Sequence, residues 1–115
     1  MKMLPQEIEV WYLIPAIRKE LAISLSRNGI KQKDISAMLG VTPSAVSQYI
    51  KQKRGNESLR EDYKKKIDEA ALELIEGKPL IPIMKRLSKE AWQQGILCDM
   101  HRKYDKGLPE KCRLC

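Results

Sequence analysis

Apolar residues along this chain recur every three or four positions and nowhere alternate long enough for a strand, so the pattern predicts helices throughout. The first segment, Gln6 to Ile14, is apolar and aromatic, with Ile8, Val10, Trp11, Tyr12 and Leu13 leading into Pro15. Proline lacks a backbone donor and crowds the carbonyl four residues back, so two pieces are expected here. The second opens at Pro15, carries Ile17, Leu21 and Leu25 on one stripe, and stops after Arg27 at Asn28-Gly29. Gln32 to Leu39 reads as a short helix with Ile35, Met38 and Leu39 facing inward. Gly40-Val41 then turns the chain into Thr42, a good N-cap, and Pro43, which suits a first helical position. The helix that follows runs to about Gln52, with Ala45, Val46, Tyr49 and Ile50 inside and Ser44, Ser47, Gln48 and Lys51 outside.

Lys53-Arg54-Gly55 closes that helix, and Ser58-Leu59-Arg60-Glu61 matches a capping box opening another. Its stripe is Leu59, Tyr63, Ile67, Ala70, Ala71, Leu74 and Ile75, and Gly77 ends it. A further helix, from about Pro79 or Pro82 to Gln94, carries Ile83, Met84, Leu87, Ala91 and Trp92, with Gly95 as its C-cap. From Ile96 onward the character changes: turn residues at Gly107 and Pro109, and every Cys and His of the protein. The predicted fold is therefore all-α, five to six helices in residues 1–95, followed by a short tail over 96–115.

Composition narrows the picture. At 115 residues the chain is one small domain with a short appendage, too short for a large enzyme fold. Its net charge of +7 and pI near 9.4 favour anionic partners. No apolar run approaches the ~18–20 residues of a membrane span, and the start has an early acid and no small-residue cleavage site, so a cytoplasmic protein with no membrane partner is expected. The paired acids Glu61-Asp62 and Asp68-Glu69 lie beside Lys64, Lys65 and Lys66, the pattern of a solvated helix face, and no enzyme chemistry is expected.

The segment from Gln32 to Ile50 carries the most specific signal. A bihelical DNA reader needs a small residue where its helices cross, a glycine in the turn, and apolar residues that fix the crossing angle. Ser36, Gly40 and the set Ile35, Leu39, Val41, Val46 and Tyr49 meet these needs at fixed spacing. On these residues the chain resembles the Cro/phage-repressor (XRE) helix-turn-helix family over roughly residues 21–54. Together with Leu4-Pro5-x-Glu7 and Ile14-Pro15-Ala16-Ile17-Arg18, the N-terminal stretch is similar to small archaeal and other prokaryotic regulators of that type with a cysteine-rich C-terminal extension.

The resemblance implies a lambda-repressor-like helix-turn-helix in a sequence-specific transcriptional regulator that binds double-stranded DNA, normally as a homodimer. It puts Thr42, Pro43, Ser44, Ser47, Gln48 and Lys51 at base-reading positions and Gln32 and Lys33 where helix ends touch phosphate. The chemistry of the side chains is consistent with those roles: Gln48 can pair with adenine through both polar atoms, and the Thr42 methyl or Pro43 ring can pack on a thymine methyl. Lys51, Lys53 and Arg54 are candidate phosphate contacts. Between Arg27 and Arg54 there are six cations against one acid, Asp34, a local excess that phosphate neutralisation rewards. Candidate dimer surfaces are the helices after Ser58 and the apolar segment Ile8 to Ile14.

In the tail, Cys98-x2-His101 and Cys112-x2-Cys115 form two ligand pairs separated by ten residues. In a reducing compartment an odd number of cysteines points away from structural disulfides and toward a metal knuckle. Cys3His is an established zinc set, and an iron–sulfur cluster is the alternative. The related group more often has cysteine where His101 stands, so the metal stays open. A reading of another class also stands: a metal-stapled adaptor that binds RNA or a protein partner, with the helical hairpin only as scaffold.

Overall fold

A computed structural model describes residues 4–51 and 59–104, and within them every regular element is helical. The elements are α1 (Pro5–Ile8), a π-helical turn (Glu9–Leu13), α2 (Ile14–Arg27), α3 (Gln32–Leu39), α4 (Pro43–Lys51), α5 (Glu61–Ile75), α6 (Leu80–Gln93) and α7 (Ile96–Tyr104). α1, the π turn and α2 run into one another, so the described residues form six helical rods. The expected all-α class is what the chain adopts.

Pro15 does not divide the first rod. A regular α-helix would ask residue 15 to donate to the Trp11 carbonyl, and proline has no donor and collides there. The turn before it widens instead: the Ile14 N–H bonds to the Glu9 carbonyl, a five-residue step. Leu13 turns fully inward, while Val10 and Trp11 are left 61% and 68% exposed.

The first rod is the spine of the core. Ile8, Leu13, Ile17, Leu21 and Leu25 on its inner stripe are completely buried. α2 packs on α3, α4 and α5, and α6 packs on α5 and α7. Ile35, Leu39 and Val46 from the short helices, Tyr63 and Ile67 from α5, and Leu87 from α6 belong to the same buried core. Burying such a side chain contributes roughly 1.5–3 kcal/mol, which short helices need because they are marginal alone.

Two boundaries differ from expectation. α5 opens at Glu61 with Arg60 as its N-cap and no side-chain cap, so the Ser58–Glu61 box is not its start; Ser58 lies outside the described residues. Arg60 instead donates to the Gln94 carbonyl at 2.8 Å and pairs with Asp99 at 2.5 Å. The second difference is α7, which begins where a tail was expected. Ile96, Leu97, Met100 and His101 are buried at helical spacing, and the helix packs on α1, the π turn and α6. Four inward side chains on one face suffice to dock a short helix onto an existing core. Among the described residues no helix is long and apolar enough to cross a membrane.

Candidate nucleic-acid interface

The turn between α3 and α4 is built from three local devices. Gly40 takes φ +64°, the left-handed conformation that glycine adopts without steric cost. The Val41 N–H donates to the Ser36 carbonyl at 3.2 Å, and the Ser36 hydroxyl donates to the Val41 carbonyl. The Thr42 hydroxyl accepts from the Ala45 N–H at 3.1 Å, capping α4 as its sequence predicts. Beneath the turn, Ile35, Leu39 and Val46 are buried and Met38, Val41, Tyr49 and Ile50 pack partly against them. The orientation of α4 is thus fixed by its inner face and by the turn together.

This leaves Thr42, Pro43, Ser44, Gln48 and Lys51 exposed along α4, with Ser47 half-buried beside them. Gln32 and Lys33 are exposed at the start of α3, and Arg27 and Lys31 at the corner before it. Lys53 and Arg54 lie outside the described residues. Among the described residues Arg27, Lys31, Lys33 and Lys51 make no salt bridge, whereas Arg60, Lys64, Lys66, Lys78, Arg86 and Arg102 all do. The four cations around α3 and α4 are thus available to an external anion, and Lys65, Lys85 and Lys89 on α5 and α6 are likewise without a salt bridge among the described residues. Arg27 and Lys31 did not figure among the base- or phosphate-contacting positions, although their place in the basic run was the available signal.

The Cys/His set is only half in view. Cys98 and His101 sit three residues apart on α7 and so share a helix face; Cys98 is half-buried and His101 is 1% exposed. Cys112 and Cys115 lie outside the described residues. Among the described residues no group of three or more His, Cys, Asp or Glu is placed to hold a metal ion.

Nearby, Asp99 anchors α7. Desolvation pushes its carboxyl up, but hydrogen bonds and charge from Arg60 and Arg102 outweigh this and hold it below the ordinary carboxylate value. The sequence reading also passed over a groove between the first rod and α6, where the Trp92 indole N–H donates to the Glu9 carboxylate. The signal there was the mixture of Ile81, Lys85, Ser88 and Trp92 on one face of α6, apolar and cationic together. Compared with known proteins, the chain matches no described family, no curated protein and no solved structure.

Proposed function

We propose that this chain is a sequence-specific DNA-binding transcriptional regulator in which α4 enters the major groove. One observation carries the reading: an exposed polar row on α4, held by a glycine turn and a threonine cap, stands among uncompensated cations. Gln48, Ser44 and Ser47 read base edges, and Thr42 with Pro43 offers apolar contact to a thymine methyl. Gln32, Lys33 and Lys51 hold phosphate and set the register, joined by Lys53 and Arg54. A single half-site gives weak binding, so the working form is a homodimer on a two-fold operator.

The tail completes the proposal. With its thiols reduced, Cys98, His101, Cys112 and Cys115 make a Cys3His donor set suited to a structural or sensory zinc ion, with an iron–sulfur cluster as the other occupant. The helical half of that set, Cys98 and His101 on one face of α7, is compatible with it.

Selection from a randomised duplex pool, followed by binding titrations at several salt concentrations, tests the reading. Enrichment of a two-fold motif with steep salt dependence is expected. Salt-insensitive binding, or equal affinity for every duplex, overturns it. Binding of single-stranded RNA that survives Gln48→Ala with Ser44→Ala would support the adaptor reading instead.

A further inference from the structure

The groove between the first rod and α6 has a volume of about 670 Å³. Its apolar lining is formed by Ile14, Leu80, Met84 and Trp92, with Ile81 exposed at its edge. Its rim is basic, with Arg18 from α2 and Lys85 and Lys89 from α6. None of these three cations makes a salt bridge among the described residues, and the Nε atom of Arg18 is buried with no hydrogen-bond partner. The one carboxylate in the lining, Glu9, already accepts from the Trp92 indole. A buried guanidinium N–H without an acceptor is costly to keep, and such groups call for an explanation in what they bind.

We infer that this groove binds a carboxylate amphiphile, an organic monoanion with an acyl or aromatic body. The body lies on Ile14, Ile81, Met84 and Trp92. The carboxylate accepts from Arg18, whose planar fork matches its two oxygens, while Lys85 and Lys89 supply further positive charge. The volume falls within the ~300–1,000 Å³ usual for small-molecule sites, which combine an apolar lining with a few convergent polar groups. Neutral molecules of the same shape leave Arg18 unsatisfied, and cations meet repulsion. The site shares no residue with the proposed DNA-reading face, so it stands or falls independently of that reading.

The test uses the full chain carrying Trp11→Phe, which leaves Trp92 as the sole indole reporter, titrated with decanoate and with decanol. Saturable change of Trp92 fluorescence is expected, with decanoate bound at least about tenfold more tightly than the alcohol. In Lys85→Glu with Lys89→Glu, both exposed positions, decanoate should weaken by about tenfold while decanol is unchanged and far-ultraviolet dichroism is preserved. Arg18→Met should abolish the preference for the acid. Equal affinity for acid and alcohol, decanoate binding retained in the charge-reversed variant, or no saturable signal overturns the proposal. So does a dimer that excludes decanoate and dissociates on Ile81→Glu, which would assign the groove to a second copy of the chain.

Discussion

The Tyr63 hydroxyl donates to the Leu87 carbonyl across 2.6 Å with both groups buried, tying α5 to α6 at the centre of the core. Burial pushes the phenol well above its ordinary pKa, and the charge of Glu90 acts in the same direction. Tyr63→Phe keeps the packing and removes the bond, so it should cost about 1–2 kcal/mol in denaturant melts near neutrality. Because the folded value is raised, the contribution is complete below the unfolded value of about 10 and is lost as pH rises toward the folded one. The gap between wild type and Tyr63→Phe should therefore shrink in alkali, and a constant gap up to strong alkali would contradict the assignment.

Gly40 at φ +64° has nothing within 4 Å of the position a Cβ would take. The cost of Gly40→Ala is then backbone strain alone, about 1–2 kcal/mol, and Gly40→Asn should cost less because asparagine tolerates this conformation. Thr42→Ala removes the hydroxyl that accepts from Ala45 and should cost about 1 kcal/mol. Thermal melts check both. Equal losses for alanine and asparagine at residue 40 would mean that something other than the left-handed backbone is being disturbed.

These turn residues were legible because each acts locally: glycine, threonine and proline at fixed offsets dictate their own geometry, α3 runs from Gln32 to Leu39 as read, and α4 begins at Pro43 as read. Pro15 was expected to divide the segment into two pieces, but a neighbouring turn absorbs the lost donor by widening, and only the burial of Leu13 within a long rod reveals that it does. α7 was missed because Cys98, His101 and the charges around them hide a short stripe of Ile96, Leu97 and Met100. That stripe is too brief to define a helix without the core it packs on. The groove was hidden for a related reason: its two walls are about 70 residues apart in sequence and become a site only through tertiary packing.

Asp99, held by Arg60 at the N-cap of α5 and by Arg102 from its own helix, links α7 to the body. Its folded pKa is lowered, so this stabilisation is present above the unfolded value of about 3.9 and is lost as pH falls through the folded one. The pairs are half-exposed and screened, so Asp99→Asn should cost no more than about 1 kcal/mol at neutral pH. That deficit should fade below pH 4 and diminish in high salt. A deficit that persists unchanged in acid would point to packing rather than charge.

Protein purified without oxygen and under reducing conditions should contain stoichiometric zinc and be colourless, with the metal lost in Cys112→Ser. Iron with sulfide and a visible chromophore would establish the alternative occupant. Ile96, Leu97 and Met100 already anchor α7, so chelation should leave most of the helical dichroism intact. Wholesale unfolding on chelation would mean that metal, rather than the apolar face of α7, holds this end of the molecule.

Gln48 and Lys51 lie less than one helical turn apart on α4, both exposed, yet the proposal gives them different physics. An amide that pairs with a base edge discriminates, so Gln48→Ala should relax preference at one base pair by about 1–3 kcal/mol while leaving the salt dependence nearly unchanged. An ammonium on phosphate is blind to sequence. Lys51→Ala should weaken every duplex about equally and reduce the slope of log K against log salt by roughly one unit, because one fewer counterion is released. Measuring both quantities on both variants separates the roles. If Lys51→Ala changes base preference, or Gln48→Ala changes only the salt slope, α4 is set in the groove differently from the arrangement proposed. If neither substitution changes DNA affinity, the exposed row on α4 is an ordinary solvated face and the DNA-binding reading falls with it.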